Sequence, residues 1–262
     1  MDLYFEVEGE GEPLIVLHGL FGSLENWRPM SRKLANRFKV FLVDQRNHGR
    51  SPHSEEMNYA LMAEDVRQLL HRQHLHAAHV LGHSMGGKTA MQLAVLHPEN
   101  VRKLVVADIA PRVYSPRHQH IIEGMLALDL SRFHSRKEIE AALAPAVPEL
   151  ATRQFLLKNV ARLDGGTFGW RLGLEEIGDN YLRLTEPVAG GRPFDKPALF
   201  VRGANSDYLT QSDFPAIQCL FPNAVLRSIP EAGHLLHVQN PDFFSRIVAE
   251  FLGQRVPNSL LA

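Results

Sequence analysis

The sequence predicts an α/β fold: a mostly parallel sheet flanked by helices, with a helical cap inserted after the sixth strand. Three observations carry this. Short, wholly apolar runs alternate with stretches of helical spacing, the pattern of strands buried on both faces of a parallel sheet. The alternation stops near Arg112 and resumes near Arg192, so one sheet domain is interrupted by a helical insert. At one strand-to-helix joint stands G-x-S-x-G, as Gly82-His83-Ser84-Met85-Gly86.

Taken in order, Leu3–Glu8 alternates and reads as a strand, with a turn at Gly9–Pro13. Leu14–Leu17 (LIVL) is a buried strand ending in His18-Gly19-Leu20-Phe21-Gly22-Ser23; a helix follows over about Leu24–Asn36. Val40–Val43 is the next buried strand, ending in the loop Asp44–Ser51 (DQRNHGRS), where Asp44 and Arg46 are expected to organise the loop and Gly49 to supply a turn. Tyr59–Arg72 has helical spacing, then come the strand and helix of Ala78–His97 and a strand at Lys103–Ala107. Between about Arg112 and Arg192 the segments Ile121–Leu130, Lys137–Leu143 and Glu149–Leu163 read as amphipathic helices separated by Pro and Gly. The alternation returns with a strand at Ala198–Val201, a helix near Asp213–Leu220, a strand at Ala224–Ser228 and a helix at Pro241–Phe251. Residues after Leu252 read as a frayed tail. The expected division is a core of 1–111 and 193–262 with a cap of 112–192.

Composition narrows the classes. Hydrophobic residues make up 45% and charged ones 22% of 262 residues, ordinary for a globular chain with a sizeable core. A formal net charge of −1 gives no field to recruit nucleic acid or an anionic membrane, so neither is expected as a partner. The single Cys219 has no partner for an internal disulfide and is expected to be buried. The N-terminus is acidic without a signal-peptide core, and no apolar run approaches the ~18 residues of a membrane span. The expected compartment is cytoplasmic. His71, His74, His76 and His79 lack a regular helical pair and nearby acids, so no metal is expected.

The joint at Ser84 has the context of a nucleophile elbow. Gly82 and Gly86 allow a turn so tight that a Cβ would strike the neighbouring backbone, and Ser84 is lifted onto a helix N-terminus that favours negative charge. The same letters, GHSMGGKT, also satisfy the phosphate-binding G-x-x-x-x-G-K-T. Downstream residues arbitrate. An elbow enzyme needs a second oxyanion donor after an early strand, and Leu20 stands there to join Met85; it needs a late histidine, and His234 follows the last strand; it needs an acid between serine and histidine. All three are present, and none is required of a nucleotide-binding loop.

The segments HGLFGS, DQRNHGRS, GHSMGGK, ADIAP, RGANSDY and AGH-x-x-H together resemble the α/β-hydrolase superfamily, and more closely the small bacterial YbfF-type esterases and their mitochondrial relatives. The likeness runs from about Leu14 to Phe251. It implies the α/β-hydrolase fold and hydrolysis of small-molecule carboxylic esters, extending to acyl-CoA thioesters, without a cofactor.

In that reading Ser84 is the nucleophile and His234 takes and returns its proton. The orienting acid is Asp108, at the end of strand 103–107, or Asp207, in the loop after 198–201. The resemblance favours Asp108, with Ser206 near it as a supporting hydroxyl, and leaves Asp207 as the alternative. Backbone N–H groups of Leu20 and Met85 form the oxyanion hole. His83 is expected to be structural, Lys88 to make a surface or cap contact, and His237 to line the cleft. Phe21, Phe168, Trp170, Leu209 and Leu236 are candidates to wall the substrate pocket. A hydrolase-fold receptor that binds a small molecule with little turnover is the competing class, separated by p-nitrophenyl ester turnover. Oligomeric state is not legible.

Overall fold

Among the described residues seven strands form one sheet, in the spatial order Phe5–Glu8, Phe38–Val43, Glu12–Leu17, Ala78–His83, Val101–Ala107, Ala198–Gly203 and Ala224–Ile229, in which only the first runs antiparallel to its neighbour. The computed structural model describes residues 1–253, so the tail expected after Leu252 lies, from residue 254 on, outside the described residues. In chain order the elements are β1 (Phe5–Glu8), β2 (Glu12–Leu17), α1 (Arg28–Leu34), β3 (Phe38–Val43), α2 (Tyr59–Arg72), β4 (Ala78–His83), α3 (Met85–Leu96) and β5 (Val101–Ala107). Then come α4 (Gln119–Leu126), α5 (Arg136–Leu143), α6 (Leu150–Leu156), β6 (Val160–Arg162), β7 (Phe168–Trp170) and α7 (Leu174–Asn180). The sheet resumes with β8 (Ala198–Gly203), α8 (Phe214–Leu220), β9 (Ala224–Ile229), α9 (Leu236–Gln239) and α10 (Pro241–Gly253).

The apolar runs build two cores because successive strand residues point to opposite faces. On one face Ile15 and Leu17 pack with Val66 of α2, Leu93 of α3 and Ile217 of α8. On the other, Leu14 and Val16 pack with Trp27, Met30 of α1 and Phe244 of α10. A third cluster joins Ile122, Leu143, Leu156 and Ile177 of the insert to Met62 and Met85 of the sheet domain. The insert therefore packs over α2 and over the start of α3, where β4 ends.

Four expectations change in detail. The insert leaves the sheet after β5, the fifth strand and not the sixth, because β1 is the only strand preceding the parallel run of β2–β5. The helix expected over Glu149–Leu163 ends at Leu156; Val160–Arg162 instead pairs antiparallel with Phe168–Trp170. Gly165 and Gly166, at φ of 95° and 86°, close that hairpin in a conformation no helix continues through. The stretch after Ser23 opens as a 3₁₀ turn, Leu24–Trp27, before α1 begins. Cys219 is exposed: α8 turns Ile217 and Phe221, four residues apart, into the core and leaves Cys219 on the solvent side.

Candidate active site

The elbow is enforced by its glycines. A Cβ on Gly82 would lie 2.0 Å from the Gly86 carbonyl oxygen, and one on Gly86 would lie 2.4 Å from that of Leu17. Between them Ser84 takes φ 53° and ψ −119°, a strained backbone that points its side chain off the end of β4. Helix α3 begins at Met85, so Gly86, Gly87 and Lys88 are inside its first turn and form no phosphate-wrapping loop. Lys88 itself is fully buried, because α3 is enclosed between the sheet and the insert along nearly its whole length. Its ammonium donates to the Thr185 carbonyl at 3.3 Å and to that of Glu186, and lies 4.8 Å from the Tyr114 ring centre. Of the expected surface or cap contact, only the surface half is corrected: Lys88 reaches residues 185 and 186 of the insert. Burial lowers its pKa to about 7.

Three side chains from distant parts of the chain meet above the sheet. Ser84 Oγ–H donates to His234 Nε2 at 3.0 Å, and His234 Nδ1–H donates to Asp108 Oδ2 at 2.8 Å. Asp108 is wholly buried and also accepts from the Gly203 N–H at 3.0 Å and from the Ser206 hydroxyl. Asp207 lies elsewhere: its carboxylate is 69% exposed and bonds Arg117 at 2.7 and 2.8 Å. The His234 loop is held from behind by His83, whose Nε2–H donates to the His234 carbonyl at 2.9 Å. In front, the Tyr208 ring stacks on the imidazole at 3.7 Å.

Two histidines that the sequence reading left unassigned fix the loop after β2. His18 Nδ1–H donates to the Gly19 carbonyl at 2.9 Å, while its Nε2 accepts from the Gln45 N–H at 3.0 Å. His48 Nδ1–H donates to the Arg46 carbonyl at 2.9 Å, and its Nε2 accepts from the Phe21 N–H at 3.2 Å. An acceptor nitrogen must be unprotonated, so both rings act as neutral imidazoles. Burial pushes their pKa values down to about 4 and about 3, which keeps them so. Asp44 ties the same region together through the N–H groups of Leu24 (2.7 Å) and Arg50 (2.9 Å), and Gly49 leaves room for its carboxylate. Phe21 is thereby held at φ 59°, and among the described residues the N–H groups of Leu20 and Met85 have no protein acceptor. The signal for both histidines was present, since each stands in a strand-end motif, but nothing in the letters says that the two rings meet at 5.1 Å.

A family model of the α/β hydrolase fold matches residues 12–241. The chain belongs to the α/β-hydrolase family. It is 40% identical to a zebrafish (Danio rerio) sn-1-specific diacylglycerol lipase, ABHD11, over 93% of this chain and 80% of that one. It is 36% identical to the Escherichia coli esterase YbfF over 92% of each chain. Among solved structures, a marine microorganism esterase superposes with a TM-score of 0.93 at 44% identity, covering 95% of this chain and 99% of that one.

In this α/β hydrolase Ser84 stands at the junction of two cavities, of about 50 and about 330 Å³. Of the five expected wall residues only Phe21 borders them. Leu209 and Leu236 are wholly buried in the two sheet cores, and Phe168 is buried inside the insert. Trp170 borders a separate cleft with Leu172, Met125 and His53. The walls are instead Leu20, Tyr59, Tyr114, His118, Tyr181 and Tyr208, residues whose spacing marks no common face until the insert folds over the sheet. His237 borders the larger cavity as expected, stacked on Trp27 at 4.2 Å, and burial lowers its pKa to about 3. Among the described residues no group of three or more His, Cys, Asp or Glu side chains converges as a metal site, and no helix is long and apolar enough to cross a membrane.

Proposed function

We propose that this hydrolase cleaves carboxylic esters, thioesters included, through an acyl-enzyme formed on Ser84. The observation that carries the reading is the run of hydrogen bonds from Ser84 Oγ through both nitrogens of His234 to Asp108. Ser84 Oγ attacks the carbonyl carbon as His234 Nε2 takes its proton. Asp108 holds the ring in the tautomer that leaves Nε2 free and stabilises the imidazolium that forms. The carbonyl oxygen, turning into an oxyanion, is received by the N–H groups of Leu20 and Met85. His234 then protonates the leaving oxygen or sulfur as the bond to it breaks. Water repeats the sequence on the acyl-Ser84 ester and regenerates the serine.

The remaining residues support that chemistry. Ser206 and the Gly203 N–H stabilise the Asp108 carboxylate; Asp207 serves the surface with Arg117. Residues 112–192 act as the cap that closes the site from water over a core of 1–111 and 193–262. Likeness to an esterase and to a diacylglycerol lipase supports an ester as the bond cleaved. Replacing Ser84 with Ala tests this: p-nitrophenyl acetate turnover falls by about 10⁴-fold or more with the thermal midpoint unchanged. Turnover within a few-fold of the unaltered chain overturns the proposal.

A further inference from the structure

The two cavities that meet at Ser84 share Leu20, His118 and Tyr208 and differ otherwise in size and in the residues that border them. The smaller, of about 50 Å³, is bordered by Met85 and ends at Tyr59, Lys88 and Leu184. The larger, of about 330 Å³, is bordered by His234 and His237. It shares Asn26, Phe155, Leu235 and His237 with a further cleft of about 440 Å³ that runs out past Val238. His234 borders the large cavity and not the small one.

We infer that the two cavities divide the substrate, the small one receiving a short acyl group and the large one the alcohol or thiol. This rests on the esterase reading and adds to it which end of the ester is restricted. The departing oxygen or sulfur takes its proton from His234 Nε2, so it must lie on the side of Ser84 that the imidazole faces. That side is the large cavity. The acyl carbon remains bonded to Ser84 Oγ, with its oxygen between the Leu20 and Met85 N–H groups, and its chain has only the other direction, toward Met85, to run.

Volume then sets the limit. With about 50 Å³ against about 330 Å³, the small cavity suits a short acyl chain and the large one a long group. Its end wall is not a loose side chain that swings aside. Tyr59 Oη–H donates to the Leu184 carbonyl at 2.7 Å, Lys88 Nζ donates to the carbonyls of Thr185 and Glu186, and Tyr114 Oη–H donates to that of Tyr208 at 2.5 Å. The Tyr59 and Lys88 bonds stitch helices α2 and α3 to the chain returning from the insert, the Tyr114 bond ties the start of the insert to the loop after β8, and Lys88 is buried among them. Widening the cavity means breaking buried hydrogen bonds, two of them donated by Lys88 Nζ, with no water to replace them. The large cavity instead shares Asn26, Phe155, Leu235 and His237 with the outer cleft. Leu235 and Val238, 40% and 59% exposed, give its outer reach an apolar border suited to an alkyl chain.

Two isomeric esters, decyl acetate and ethyl decanoate, test the division because they differ only in which side of the carbonyl carries the long chain. The expected kcat/KM favours decyl acetate by at least about 30-fold. Replacing Leu184 with Ala, which shortens the end wall while leaving its backbone carbonyl for Tyr59, narrows the ratio to within about 5-fold by raising ethyl decanoate turnover. Equal or reversed preference in the unaltered chain, with p-nitrophenyl acetate still hydrolysed, overturns this inference and leaves the esterase reading standing. Absence of turnover on all three esters overturns both.

Discussion

Asp108 and His234, 126 positions apart in the chain, are joined by a 2.8 Å hydrogen bond at the ring nitrogen opposite the one that faces Ser84. Asp207 is bonded instead to Arg117 at the surface. An Asn at 108 keeps the shape but offers the ring an amide donor or a weaker acceptor, so the wrong tautomer is populated. Asp108→Asn is expected to lower kcat by roughly 10³–10⁴-fold on p-nitrophenyl acetate. Asp207→Asn changes it less than about 3-fold, the scale of losing an exposed ion pair. Comparable losses from both replacements contradict the assignment.

The loop carrying Leu20 depends on a neighbouring ring. His48 Nε2 accepts the Phe21 N–H at 3.2 Å and holds Phe21 at φ 59°. In His48→Ala that donor is left without its partner and the loop relaxes from its strained conformation. The expected result is a fall of about 10-fold in kcat with little change in KM, a fraction of the loss from removing an oxyanion donor outright. Steady-state kinetics on a short-chain ester checks it, and a rise in KM at constant kcat would count against the role.

Gly86 has no room for a methyl group: a Cβ there would sit 2.4 and 2.5 Å from the carbonyl oxygens of Leu17 and His18. Gly86→Ala must therefore push α3 away from β2. A cost of about 3 kcal/mol is expected, which lowers the thermal midpoint by ~6–12 °C for a chain of this size. Calorimetry of the variant at neutral pH measures this directly, and an unchanged midpoint would show that the elbow tolerates a wider turn.

Burial sets the acid limit of the fold. It lowers the pKa of His18 and His118 to about 4 and of His48 and His237 to about 3, from 6.5 in the unfolded chain. Between these values the unfolded chain binds protons that the folded chain refuses, so stability falls as pH falls. Stability from these rings is complete above pH 6.5 and is lost progressively toward pH 4, at up to ~1.4 kcal/mol per pH unit for each ring. Thermal midpoints recorded from pH 7.5 down to 4.5 should drop steeply below about 6.5. A flat profile would mean that these rings titrate normally.

Legibility in the sequence follows the range of the physics involved. Ser84 was readable because its turn is local: Gly82 and Gly86 are required within four residues of each other. His234 was readable from its order in the chain, after the last strand. The choice between Asp108 and Asp207 depended on how the ends of β5 and β8 sit side by side, a relation that their letters do not carry. The letters do not choose between a surface and a cap contact for Lys88, because its exposure is set by the insert closing over α3. The pocket wall was mostly missed for the same reason, since Tyr59, Tyr114 and Tyr208 converge only once the insert is in place. The hairpin of β6 and β7 escaped because three-residue strands have no periodicity to read.

Covalent trapping bears most directly on the central claim, that Ser84 is driven as a nucleophile by His234 and Asp108. Incubation with a diethyl phosphoryl ester such as paraoxon, followed by peptide mass spectrometry, is expected to give one diethylphosphoryl adduct per chain on the peptide containing Ser84. The label should appear in step with loss of ester turnover and be absent from His234→Ala. Inactivation with the label on another residue, or full labelling of Ser84 without His234, would contradict the account.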